Sequence, residues 1–302
     1  MDDLTVIKVG SMALVNDKGD GVDYNVISQL SHDLNEHTIL VTSGAAVVGK
    51  LDFIKRNGYA LDENNNFYKS DYASQGQTIL MDLYREFLNP QYSLRQVLVE
   101  HQHFNDVEKR EHLKGLLSRC PAQNAVAVIN YNDCISSEEC RKMEINLLKE
   151  KQQNVVECID NDETATQIAV LMHAKKLLLL TMGNGILLDK DNPSTLVPEV
   201  FAHDKEELLS KITELQTHCV GASRKGANGA FAKLEYAKYA VENGVDVIIS
   251  SSHFRVCRPC SKYAHLCALM QCPTYFVISA NIAMIRHYNI KVVKKRSNML
   301  LF

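Results

Sequence analysis

The chain has 302 residues, 46% of them hydrophobic and 23% charged, with a formal net charge of −3 and a pI near 6.4. These values fit a globular α/β protein. They argue against nucleic acid as the main partner, because the one basic stretch, Lys294-Lys295-Arg296, is short, and no apolar run reaches the roughly 18 residues of a membrane span.

Asp2 and Asp3 stand where a secretory leader would be basic, so the expected compartment is the cytoplasm. Residues 4–9, LTVIKV, read as a buried strand that carries a lysine, Lys8, two residues before Gly10-Ser11. A buried ammonium is costly unless paired, so Lys8 calls for an exit at the strand end or an anion waiting there. A helix follows over 23–36 and a strand over 38–42. Thr42-Ser43-Gly44-Ala45-Ala46 then forms a small-residue turn into a helix, whose free backbone amides suit an anion. Residues 62–66, DENNN, read as a surface turn. A helix over 74–90, a strand over 95–100, a helix over 105–119 and a strand over 125–130 come next, the last running into Asn130-Tyr131-Asn132-Asp133.

Residues 137–150 read as a helix. Ser136 to Glu139 fits a capping box, and Met143, Ile145, Leu147 and Leu148 can make an apolar stripe. Asp160-Asn161-Asp162 opens a helix over 162–174, followed by a strand over 176–181 and a helix over 205–216. Lys225-Gly226-Ala227-Asn228-Gly229 precedes a helix over 229–243 that carries Lys233. Strands at 246–251 and 274–279 complete the series. Nine cysteines scattered over a chain of this size fit reduced thiols. Cys257, Cys260, Cys267 and Cys272 cluster near His253 and His265, but the second pair is spaced by four residues in apolar sequence. Buried free thiols are the better reading there, and no metal site is assigned.

Apolar strands separated by helices predict a mostly parallel sheet covered on both faces, with ligands at the carboxyl ends of the strands. The polar residues fall at those ends. Each has an ordinary structural reading: Asp160 or Asp162 can serve as an N-cap, Asn-Asp is common turn chemistry, and Lys233 alone suits a solvated face. Together they place two lysines, several carboxylates and two glycine loops at one edge of a sheet. That composition suits phosphoryl transfer.

Six blocks carry a family resemblance, in order: IKVGS, ILVTSGAAVVG, ASQGQTILMDLY, AVAVINYND, DNDETATQIAVLMHAKKLLLLT and GANGAFAKLEYAKYAVENGVDVIIS. They resemble the amino acid kinase family, most closely the glutamate 5-kinases, over about residues 4–251. The resemblance implies a three-layer αβα sandwich with a mostly parallel central sheet. It implies a single domain over 1–302, with 252–302 as its divergent C-terminal part. It also implies ATP-dependent phosphorylation of the γ-carboxylate of L-glutamate, entering proline biosynthesis. Carried over residue by residue, Lys8 and Lys233 would stabilise the moving phosphoryl group and Asp162 would orient them. Gly10, Ser11, Thr181, Gly226, Asn228 and Gly229 would contact ATP together with the lysines. Ser43, Gly44, Ala45, Asp133 and Asn161 would hold the amino acid. Mg²⁺ would arrive with ATP, held mainly by phosphates and water, and a homo-oligomer, dimer or tetramer, is expected. The length leaves no room for the RNA-binding-like PUA domain of many bacterial members.

The sequence also departs from the family pattern. The L-T-D-x-D-G-L-Y element reads Leu180-Thr181-Met182-Gly183-Asn184-Gly185-Ile186-Leu187, without either aspartate. The G-T-G-G loop reads Gly226-Ala227-Asn228-Gly229, and N-E-N-D reads Asn130-Tyr131-Asn132-Asp133. The stretch between Asp133 and Asn161 is longer than the family's, and its helical insert either reshapes acceptor choice or builds an oligomer contact. Two alternatives therefore stand beside the kinase reading: another small acid acceptor, or a ligand-binding protein that has lost catalysis.

Overall fold

The computed structural model describes residues 3–65, 67–136, 138–181, 186–189, 192–197, 199–202, 204–219, 229–251 and 275–279. Its strands are β1 (Thr5–Val9), β2 (Thr38–Val41), β3 (Ser93–Val99), β4 (Ala125–Tyr131), β5 (Lys176–Thr181), β6 (Ile186–Leu187), β7 (Leu196–Val197), β8 (Glu199–Phe201), β9 (Asp246–Ser251) and β10 (Tyr275–Ser279). Its helices are α1 (Tyr24–Asp33), α2 (Ala45–Asn57), α3 (Tyr68–Phe87), α4 (Gln102–Asn105), α5 (Val107–Arg119), α6 (Glu138–Lys149), α7 (Asn161–Leu171), α8 (Lys205–Thr217) and α9 (Gly229–Glu242).

Eight strands form one sheet in the order β3-β4-β2-β1-β5-β9-β10-β8. The pairs from β3 through β9 are parallel, β9–β10 is antiparallel and β10–β8 is parallel. The strands read as continuous apolar runs because both faces are covered; every residue of β1 and of β4 is buried. Alternation along β1 sends Ile7 and Val9 to a core shared with α1, α2 and α3, and sends Val6 to a core shared with α5, α7, α8 and α9. Each fully buried aliphatic side chain contributes roughly 1.5–3 kcal/mol against exposure. By the same two-residue period Lys8 falls on the Val6 face, toward α7 and α9.

The expected sandwich is therefore the observed architecture, with corrections at several elements. Helix α3 starts at Tyr68, earlier than residue 74, because Tyr72 and Ala73 extend the buried face of Gly76, Leu80 and Tyr84, and Asp71 places an acidic residue in the first turn. The short strands β6, β7 and β8 carry too few residues to show a period and were not expected from sequence. The apolar stripe of α6 is also different. Ile145 is buried, but Met143 and Leu147 are exposed. Those two lie four residues apart on the outer face, while Arg141, Glu144, Ile145 and Leu148 follow i, i+3, i+4, i+7 on the inner one. Residue 137 and the side chains of residues 138 and 139, which the expected capping box needs, lie outside the described residues; Ser136 Oγ bonds the Tyr131 hydroxyl at 3.0 Å.

One close contact fixes the helix that follows Ser43. Helices α2 and α3 cross at Gly49 and Gly76. A Cβ on Gly76 would sit 1.8 Å from the Ala45 carbonyl oxygen, and one on Gly49 would sit 1.8 Å from that of Tyr72. No side chain fits either place, so the crossing sets the backbone of α2 where its N-terminus meets the sheet edge.

Candidate active site

Lys8 leaves β1 at the carboxyl edge of the sheet and meets Asp162 of α7. Lys8 Nζ lies 2.6 Å from Asp162 Oδ1, and Lys233 Nζ of α9 lies 2.5 Å from Asp162 Oδ2. The Asp162 side chain is 5% exposed, Lys8 11% and Lys233 22%. Burial opposes ionisation of this carboxylate, but the two ammonium groups outweigh it and hold the Asp162 carboxyl at about 2. One carboxylate thus positions two cations at the sheet edge. Asp162 is not the cap of its helix. Asp160 takes that task, accepting from the backbone N–H groups of Asp162 and Glu163, both at 2.9 Å. Burial, with the nearby Asp162 charge, raises the Asp160 carboxyl above its usual range.

The other expected residues divide between two sides of β1. On the β2 and β4 side, Asn161 Nδ2 donates to Ser43 Oγ at 3.0 Å and to Asn130 Oδ1 at 3.1 Å. Asn130 Nδ2 in turn donates to Gln77 Oε1 at 2.9 Å. Among the described residues Asn161 Oδ1 is buried without a hydrogen-bond partner, an acceptor available to a ligand donor. Gly44 caps α2 with φ of 95°, a left-handed conformation that glycine adopts without strain; a Cβ there would meet Leu14 at 3.1 Å and Ser11 at 3.4 Å. Ala45 begins α2, so the unbonded first-turn N–H groups of that helix belong to this edge.

Gly10 stands beside the paired lysine. A Cβ on it would occupy space 3.6 Å from Lys8 Nζ and 3.7 Å from the Leu180 carbonyl oxygen, so its absence keeps the ammonium approachable. Ser11 opens a short 3-10 turn after it.

Asp133 follows β4. It keeps solvent access while protein packs around it, and that desolvation pushes its carboxyl up to about 6 against the opposing charges of Arg141 and Lys69. The cations that act on it are Arg141 of α6 and Lys69 of α3.

On the other side of β1, Thr181 ends β5, in register with Ser251, and Gly229 opens α9 with φ of 64°. Met182, Asn184, Lys225, Gly226, Ala227 and Asn228 lie outside the described residues, as do Cys257, Cys260, Cys267 and Cys272. Among the described residues no group of three His, Cys, Asp or Glu side chains is arranged to hold a metal.

Gln77 and Asn130 had no assigned role in the sequence, although both stand inside recognisable motifs. Arg141 and His101 had no sequence signal. Arg141 Nη1 donates to the Cys158 carbonyl oxygen at 2.9 Å, and its guanidinium carbon lies 5.1 Å over the Tyr131 ring. His101 is buried at the end of β3, 3.2 Å from Glu144 of α6, and burial lowers its pKa.

The profile of the Amino acid kinase family matches residues 3–251. The chain belongs to the amino acid kinase family. Among curated relatives, the glutamate 5-kinase of Alkaliphilus metalliredigens is 29% identical over 259 residues, covering 82% of this chain and 86% of its own. That of Neisseria meningitidis serogroup C is 29% identical over 256 residues, covering 82% and 62%, and that of Caldanaerobacter subterraneus is 27% identical over 257, covering 82% and 61%. The chain thus spans about three fifths of the length of these last two. Among solved structures, carbamate kinase from Giardia lamblia bound to AMP-PNP aligns with a TM-score of 0.52 at 14% identity, covering 83% of this chain and 93% of that one. UMP kinase from Bacillus anthracis aligns at 0.50 and 9% identity, covering 92% and 96%. At such identities these two speak to the amino acid kinase fold alone.

Proposed function

We propose that the protein transfers the γ-phosphoryl group of ATP to the γ-carboxylate of L-glutamate, giving L-glutamyl 5-phosphate and ADP at the entry to proline biosynthesis. The observation that carries this reading is the single buried carboxylate of Asp162 clamped between Lys8 and Lys233 at the carboxyl edge of a parallel sheet. A carboxylate oxygen of the acceptor attacks the γ-phosphorus as the bond to the β-phosphate oxygen breaks, so no protein nucleophile is needed. What the protein must supply is positive charge held in place before the reaction, since aligning it afterward would cost reorganisation. Asp162 does that for both lysines.

Ser43, Asn161 and Asp133 are assigned to the acceptor, on the β2 and β4 side. Lys8, Gly10, Ser11, Thr181, Gly229 and Lys233 are assigned to ATP, along with Gly226 and Asn228. Mg²⁺, when bound, would neutralise charge on the phosphates. Asp160 is committed to its helix cap, so phosphates and water would supply most ligands of the ion. The glutamate 5-kinase names of the relatives support the choice of acceptor.

The test is ADP release by purified protein with ATP and Mg²⁺, with and without L-glutamate, trapping acyl phosphate as a hydroxamate. Glutamate-dependent hydroxamate is expected. No turnover with glutamate but turnover with another small acid would move the reading to a neighbouring acceptor, an option that α6 beside Asp133 keeps open. Nucleotide binding without turnover on any acid would favour a binding protein, against which the retained lysine pair counts.

A further inference from the structure

Helix α6 has no counterpart in the family motifs, and its inner face is anchored over one end of the site. Ile145 is buried, Glu144 meets the buried His101, and Arg141 lies between two segments that carry proposed acceptor residues. Its guanidinium stacks on Tyr131, two residues before Asp133. It also bonds the carbonyl of Cys158, three residues before Asn161. One N–H direction is spent on that carbonyl, and an arginine has five donors in a planar fork. Among the residues whose side chains are described, Arg141 forms no ion pair, and its charge acts on Asp133. Lys69, from the start of α3, adds a second cation acting on the same carboxylate.

An anionic side chain next to a planar cation is the complement of an α-amino acid, which presents an ammonium and a carboxylate on one carbon. We propose that Arg141 is a specificity-determining residue that reads the non-reacting α-carboxylate of the acceptor, while Asp133 receives its ammonium. This rests on the acceptor assignment above and adds a residue to it. The insert thereby selects acceptors with a free α-carboxylate; it is not only a brace for the loop that leaves β4.

The test is titration calorimetry on the full chain with L-glutamate and with its α-amide, which keeps the ammonium and the γ-carboxylate but lacks the α charge. The wild-type protein is expected to prefer glutamate by roughly 10- to 100-fold, the range for losing a charge-assisted bidentate pair. Arg141→Gln should raise the glutamate Kd to about that of the amide while the amide Kd stays within about twofold. A merely structural role would weaken both ligands alike and leave the preference intact, and that result overturns the proposal. Arg141→Lys keeps a cation against Tyr131 and is the second variant if the first loses its fold. It should retain part of the preference for glutamate, and full wild-type preference would again overturn the assignment. Glutamate turnover by the wild type separates the two readings. Turnover with an unchanged preference in both variants removes only the role of Arg141. No glutamate binding by the wild type removes the acceptor assignment and this inference with it.

Discussion

Replacing Asp162 by Asn removes one negative charge and leaves two ammonium groups facing each other across a neutral amide. The folded carboxyl is held at about 2 against an ordinary 3.8, which corresponds to about 2 kcal/mol of stability. Stripping the partner from a buried pair costs roughly 3–5 kcal/mol where the remaining charge is fully enclosed. Here Lys8 and Lys233 keep 11% and 22% of their side-chain surface, so water relieves part of that cost. We expect Asp162→Asn to lose about 2–3 kcal/mol at pH 7, a fall in Tm of roughly 4–8 °C for a chain of this size. The pH dependence follows from the sign of the shift. A depressed carboxyl contributes stability above its unfolded value near 4, and that contribution is lost as pH falls through the folded value near 2. The gap between wild type and variant should therefore be constant from pH 7 to pH 5 and clearly smaller at pH 3. Denaturation midpoints at the three pH values measure it. Equal midpoints at pH 7, or a gap that widens on acidification, would refute the ion-pair reasoning.

Three further outcomes are expected. Lys8→Met and Lys233→Met should each lower kcat by about 10²–10³ while nucleotide affinity changes only severalfold, as for removal of one preorganised donor to a developing charge; turnover kept by either variant would place that lysine outside the chemistry. Because burial pushes the free Asp133 carboxyl up to about 6, kcat/KM for the acceptor should fall severalfold between pH 7.5 and pH 5.5 as the acid form takes over, while kcat/KM for ATP stays level. Asp133→Asn should flatten that acceptor profile, and an unchanged profile would remove Asp133 from the acceptor site. Gly76→Ala should cost about 3 kcal/mol or more, because its methyl would meet the Ala45 carbonyl and no rotamer can relieve backbone. Gly115→Ala in α5 meets only the tip of Arg119 at 3.2 Å and should be neutral or stabilising; urea midpoints of the two variants compare them.

How much of this was legible in the sequence depended on the range of the interaction. The parallel sheet was legible because β1, β4 and β5 are buried on both faces and so carry near-continuous apolar runs. The lysine inside β1 was legible as an anomaly, since an ammonium at a dry position demands a partner. Its partner was not derivable from spacing, because Asp162 is 154 positions away and nothing local separates it from Asp160 as cap. The helical period of α6 was legible, but its buried face was not. Met143 and Leu147 suggest one stripe by hydrophobicity, while Arg141 and Glu144 sit inward because a carbonyl and a buried histidine bond them there. The site's polar relay, Ser43 to Asn161 to Asn130 to Gln77, joins α7, β4, α3 and the turn after β2, and only the assembled sheet puts those polar groups within 3.1 Å.

The strand order gives a reason for the place of Lys8 that does not depend on any motif. From β1 the chain builds outward through β2, β4 and β3 on one side, then returns to lay β5 and β9 on the other. Helices that cover a parallel sheet diverge where the order reverses, and the crevice opens at the carboxyl ends of the two strands that flank the reversal. That point is the junction of β1 and β5. Lys8 is paired with Leu179 across it, and Gly10 lies near the Leu180 carbonyl just beyond. A charge at the end of β3 would face the outside of the sheet, and one at the end of β9 would serve only one half. At β1 a single ammonium reaches both halves, and Asp162, from the helix that precedes β5, can bind it while binding Lys233 from the helix that precedes β9. The reversal therefore brings together the two halves of the chain that must meet if a phosphoryl group is to pass from one ligand to the other.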